Sequence, residues 1–144
     1  MNGWKLRAAL LAVLVGFGVL SLPALPTPTA SASNVCYGRN VHHSDPFGFA
    51  WTRDQVCPNA SGAPLYYFAS EDPALRTGTM YSTNSWFVCY VHGDWHAGGN
   101  DVWYYTQGDE DIDNGLPEDH AWGFMPARYV WTNEDPDPGM PPCP

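Results

Sequence analysis

The sequence predicts a small all-β domain, a barrel or a sandwich. Three observations carry that prediction. No segment repeats its apolar residues at a sustained helical period. From Leu65 onward, about five short aromatic and β-branched runs alternate with loops rich in Gly, Pro, Asn and Asp. Four cysteines, an even number, offer covalent staples to a core of modest size.

The chain opens MNGWKLR, with Lys5 and Arg7 ahead of an uncharged apolar run from Ala8 to Leu22. Pro23, Pro26 and Pro28 follow, then Ala30-Ser31-Ala32. This pattern reads as a secretory signal peptide over 1–32, cleaved after Ala32. The run is short and glycine-interrupted for a membrane span. Ser33-Asn34-Val35 before Cys36 is a poor lipoprotein context, so a free, secreted, extracellular product is expected.

Residues 33–62 are rich in Asn, Ser, Gly, Pro and Asp and read as an irregular N-terminal arm. Leu65 to Ala69 is aromatic and strand-like, and Ser70 to Gly78 is a loop turning at Asp72-Pro73. Trp86 to Val91 has the densest β-branched and aromatic content and is the clearest strand. Asp94 to Asp101 is a loop, Val102 to Gly108 a strand, and Asp109 to His120 an acidic, solvated loop. Ala121 to Pro126 is a strand, and Ala127 to Trp131 a turn with a short final strand. Residues 133–144 form a proline-rich, extended tail.

Charge narrows the function. Residues 33–144 carry no lysine, and their four arginines against fifteen acids leave a net charge of −11. Nucleic-acid binding needs cations to displace phosphate counterions, so that class is excluded. Anionic membranes are disfavoured on the same ground. Cys36, Cys57, Cys89 and Cys143 in an exported chain imply two disulfides. Three pairings are possible. Cys36–Cys57, closing a short loop, with Cys89–Cys143, tying the tail to a core strand, is the favoured one.

Motifs for chemistry are sparse. Asp109 to Gly115 places acids at the first, third and fifth positions of a calcium loop, but its glycine comes one place late and the twelfth position is His120. His92 and His96 are four apart, yet Gly93 argues against the helix that would present both to zinc. His42-His43 falls in the irregular arm. Cys89 near His92 is better read as half of a disulfide than as a nucleophile. No nucleophile elbow, phosphate loop or zinc-hydrolase motif occurs. No metal, cofactor or enzymatic activity is therefore expected.

The stretch GFMPARYV, Gly123 to Val130, resembles the closing segment of Src-homology-3 domains, with Arg128 standing where that family usually has Asn. APLYYFA resembles the family's first strand, Gly78 with Met80 its diverging turn, and DVWYYT the strand that opens on an exposed tryptophan. The order is similar to that of the bacterial SH3-like branch. The WGFMP segment and the DPDPG tail with its cysteine look like small secreted actinobacterial proteins of this type. The resemblance covers 63–132. It implies a five-stranded SH3-like barrel, flanked here by a disulfide-tied arm and tail, with peptide or cell-wall recognition and no catalysis. Carried over residue by residue, it implies a ligand groove walled by Tyr66 or Tyr67, Trp103, Pro126 and Tyr129.

On a strand, Trp103 and Tyr105 share one face while Val102 and Tyr104 share the other. Either all of them pack, or Trp103, Tyr105, Pro126 and Tyr129 form an exposed platform. Trp86, Phe87 and Trp122 are expected inside the barrel. The acidic loops Glu71-Asp72 and Asp109 to Asp113 favour cationic groups such as the free amines of wall peptides. The reading is a monomeric, non-catalytic binding module for a cell-wall peptide or protein partner. One alternative is an interaction protein whose groove is filled by its own proline-rich tail. Another is a small hydrolase, which would need a close pair of carboxylates.

Overall fold

A computed structural model describes residues 35–116 and 119–144. The expected signal peptide lies outside the described residues. The described residues are all-β, with eleven strands and two short 3-10 turns, Pro73–Leu75 and Ala127–Tyr129. In chain order the strands are β1 Tyr37–Arg39, β2 His43–Ser44, β3 Ala50–Trp51, β4 Asp54–Pro58, β5 Ala63–Tyr66 and β6 Arg76–Met80. They continue as β7 Asn84–Phe87, β8 Cys89–His92, β9 Val102–Gln107, β10 Glu110–Asp111 and β11 Trp122–Pro126.

The strands form a six-stranded sheet in the order β10-β6-β5-β11-β9-β8, a three-stranded sheet β1-β4-β7, and a hairpin β2-β3. This is not a single closed five-stranded barrel. β7 and β8 are nearly continuous, separated by Val88 alone, and pair with β4 and β9 respectively. One chain segment therefore serves both sheets by bending between them, as corners of packed sheets do.

The alternation read from Val102 to Tyr105 sorts into two cores. Val102 and Tyr104 join Leu65, Met80, Phe87 and Met125 in the core shared by the two larger sheets. Tyr105 faces the other way, into a second cluster with Val88, Cys89 and Trp122, against which Trp51, Trp86 and Phe124 pack. Gly123 to Val130 forms most of β11 and then a 3-10 turn, after which Val130 bridges to Asn59.

The arm expected to be irregular supplies four strands. β4 escapes a hydrophobicity reading because its first residues, Asp54 and Gln55, are polar and buried. Asp54 accepts a fork from Arg39 (3.0 and 2.5 Å) and a bond from His43 Nε2 at 2.8 Å. Gln55 donates to Asp137 in the tail. Buried polar groups are tolerated when paired in this way.

Both disulfides take the favoured pairing, Cys36–Cys57 and Cys89–Cys143. The tail is pinned along its length. Tyr104 donates its hydroxyl to Asp135 at 2.8 Å and accepts the Asp137 N–H at 2.9 Å. Burial first, and then the Asp135 carboxylate, raise the Tyr104 phenol well above its ordinary range. Met140 enters the main core, and Tyr90 bridges to Pro142.

Candidate binding groove

The sequence DPFGFAW, Asp45 to Trp51, turns on itself. Asp45 Oδ1 accepts the main-chain N–H of Phe47 (3.0 Å) and of Phe49 (2.8 Å), and Gly48 takes the positive φ of 92° that the turn requires. Phe47, Phe49 and Trp51 recur at the strand period of two. The hairpin is fastened to the large sheet by Tyr105, whose hydroxyl donates to Asp45 Oδ2 at 3.0 Å. Burial first, and then the charge of Asp45, raise the Tyr105 phenol far above its ordinary value, so it stays a donor.

Between this hairpin and the sheet lies a groove of about 240 Å³. Trp51, Tyr105, Trp122 and Phe124 line it as one aromatic cluster, with Trp51 stacked on Trp122 at 5.9 Å and Tyr105 against Phe124 at 4.7 Å. Phe47, Phe49, Tyr67 and Phe68 also line it, Tyr67 meeting Phe47 edge-on at 5.6 Å and Phe68 at 4.9 Å. The Cys89–Cys143 disulfide, Val91 and Pro144 complete the lining. Phe47, Phe49 and Phe68 stay 40%, 49% and 59% exposed. Exposed aromatic surface converging on one concavity is unusual for a surface without a partner.

The expected platform is differently placed. Trp103 is fully buried, which overturns the reading of it as an exposed ligand contact. Its indole N–H donates to Asp94 O at 2.9 Å, and its ring meets Tyr66 and His96 edge-on at 6.0 and 5.6 Å. The cover is the loop from Gly93 to Asp101. It is held there by Gly93 N–H to Asp101 O, Asp94 N–H to Ala69 O, and His96, which donates from Nε2 to Val102 O and accepts the Gly98 N–H. The tail expected to fill that place bonds instead to Tyr104, Gln55 and Tyr90.

Tyr66 and Pro126 are buried as well, Pro126 opposite Trp103 in the ladder, and neither presents a ligand surface. Tyr129 is half-buried and engaged by Arg128, which donates to its hydroxyl at 2.9 Å and pairs with Glu71. Of the expected binding residues, Tyr67 and Tyr105 do line the groove. Phe47, Phe49, Trp51, Phe68 and Phe124 were missed. The available signal was the alternating aromatic run around the Pro46 and Gly48 turn, a hairpin pattern inside a segment of loop-like composition.

The acidic loop commits its carboxylates to nearby donors: Asp109 accepts the N–H groups of Tyr81 and Ser82, and Glu110 accepts the Tyr81 hydroxyl. Ala121 N–H donates to Asp111 and to Asp119, and Gly115 N–H to Asp113. Burial, with the nearby Asp111 carboxylate adding to it, raises the Asp119 carboxyl above its usual range. Among the described residues, no group of three or more His, Cys, Asp or Glu is placed to hold a metal ion. No protein-family model, curated protein or solved structure matches the chain.

Proposed function

We propose that this chain is a secreted, non-catalytic binding module that captures a polypeptide by seating one of its apolar side chains in the aromatic groove. The observation that carries this reading is the half-exposed trio Phe47, Phe49 and Phe68 around a concavity of about 240 Å³, in a protein of net charge −9. Pockets that enclose a whole small ligand run to roughly 300–1,000 Å³, so this one fits an anchoring side chain better than a cofactor.

A glycan is a poorer match, because sugar recognition needs several free polar groups. The charged residue in the lining, Asp45, already has one oxygen committed to two N–H groups and the other to Tyr105. The same commitment argues against acid–base chemistry there, which needs a carboxylate free to exchange a proton. The disulfides suit an oxidising, extracellular setting. The resemblance to bacterial SH3-like domains supports peptide recognition, either of a cell-wall peptide or of a protein partner.

The test is selection of displayed random peptides and co-sedimentation with purified cell wall, each with wild type and with Phe49→Ala/Phe68→Ala. Loss of two such anchors is expected to weaken binding by about 2 kcal/mol or more, roughly thirtyfold in Kd. Ligands that bind the double variant as tightly as wild type would refute the groove as the binding site.

A further inference from the structure

Trp51 belongs to two concavities. On one side is the aromatic groove. On the other is a cleft of about 410 Å³, lined by the chain from Ala50 to Gln55, by Val88, and by Gly139 and Pro141 of the tail. The hairpin turns a main-chain edge toward this cleft. Asp45 N–H donates to Phe49 O at 3.0 Å, and the register pairs Ser44 with Ala50 and His43 with Trp51. Bonded and non-bonded pairs alternate along an antiparallel ladder. The bonded pairs thus fall at 45/49 and 43/51, and the N–H and C=O of Ala50 and Thr52 point away from β2. Among the described residues no strand pairs with β3 on that side, and Ala50 and Thr52 are exposed.

Charge in the cleft is equally one-sided. Asp54 lines it, but its carboxylate is closed by Arg39 and His43. Arg53 also lines it and is exposed. Among the described residues, Arg39, Arg76 and Arg128 are held by Asp54, Thr79 and Glu71, while Arg53 has no hydrogen bond or ion pair. In a strongly acidic chain, an uncommitted guanidinium beside an open strand edge selects a carboxylate.

We infer that groove and cleft form one extended peptide site. The occupant is an extended segment of another polypeptide that adds as a strand to the free edge of β3. It places an aromatic or branched aliphatic side chain in the groove and a carboxylate on Arg53. This rests on the groove being the binding site and adds the ligand's conformation and charge. In strand addition, main-chain bonds give affinity and side-chain pockets give specificity. A second copy of this chain is disfavoured as the occupant, since two bodies each carrying a net charge of −9 repel.

The test starts from a phage-displayed library of random dodecapeptides panned on the folded, disulfide-bonded protein. Enriched peptides are measured by fluorescence anisotropy against wild type, Arg53→Gln and Phe68→Ala. The same peptides are also measured N-methylated at alternate positions. The expected consensus pairs an apolar residue with an acid. Arg53→Gln should weaken binding about three- to fivefold, as for an exposed ion pair. One of the two N-methylation frames should weaken it at least tenfold. A proline-rich consensus overturns strand addition, because proline lacks the donor. So does indifference to both Arg53→Gln and N-methylation, and if Phe68→Ala still weakens binding the groove survives. Indifference to Phe68→Ala as well removes the groove reading too. Concentration-dependent dimers in sedimentation that these peptides dissolve would make a second copy the occupant and overturn the inference.

Discussion

Trp103 and Tyr105 show how much two residues apart on one strand can differ. Both lie on the same face of β9, as period-two alternation requires. Trp103 is sealed under the Gly93–Asp101 loop, while Tyr105 lines the groove and anchors its hairpin. Trp103→Ala should therefore act on stability, costing about 3–5 kcal/mol in urea unfolding, with groove affinity of the folded fraction unchanged. Tyr105→Phe removes the donor to Asp45 Oδ2 and leaves buried carboxylate oxygen unpaired. A loss of about 1–3 kcal/mol is expected, with faster amide exchange at Phe47 and Phe49. Asp54 gives the pH dependence. Burial pushes its carboxyl up, but the bonds from Arg39 and His43 together outweigh that and hold it below the usual range. A depressed folded-state value means stability that is present above the unfolded value of about 3.9 and is lost as pH falls through the folded one. Acid unfolding below about pH 4 should be steeper in wild type than in Asp54→Asn, which is less stable at neutral pH.

At the scale of elements, the hairpin and the 93–101 loop decide which aromatic surface is open. The loop lies tight against the 69 region. A Cβ on Gly93 would sit 2.3 Å from Ala69 Cβ and 2.5 Å from Ala69 O. Since one of those atoms is backbone, Gly93→Ala must move main chain, at a cost of about 1–3 kcal/mol. Unfolding of the purified variant by urea checks this, and amide exchange should report the change first around Trp103. β9 and β11 were legible as Val102 to Gly108 and Ala121 to Pro126, whereas the single strand read from Trp86 to Val91 divides at Val88 into β7 and β8. β4 was not legible, because its buried polar residues are held by side chains outside the strand, Asp54 by Arg39 and His43 and the Gln55 amide N–H by Asp137. The groove was half legible, since Tyr67 and Tyr105 were read from the sequence. The Phe47–Phe49 wall was not, because loop-like composition around it masked a two-residue period.

For the whole molecule, the two disulfides separate stability from function. Cys89–Cys143 spans 54 residues, lines the groove and holds the tail along β8. Cys36–Cys57 spans 21 and sits in the main core. Loop-closure entropy gives about 4 and about 3 kcal/mol respectively. Cys89→Ser/Cys143→Ser should lose both stability and groove affinity, whereas Cys36→Ser/Cys57→Ser should lose stability with affinity kept in the folded fraction. Thermal melts and peptide titrations on the two pairs check the contrast.

Sequence by itself determined the all-β class, the alternation of β9 and a cysteine count fit for two bridges. Each follows from local rules of period, propensity and composition. It could not determine which stretch of the Trp103–Tyr105 face is covered and which lines a groove, because alternation sorts side chains to two faces and says nothing about what lies over either. That was decided by contacts between distant residues: the loop over Trp103, the tail on Tyr104, and Asp45 bonded to Tyr105 sixty residues away. Coverage is a property of tertiary packing, and here it moved the candidate site from Trp103 to the groove beside Tyr105.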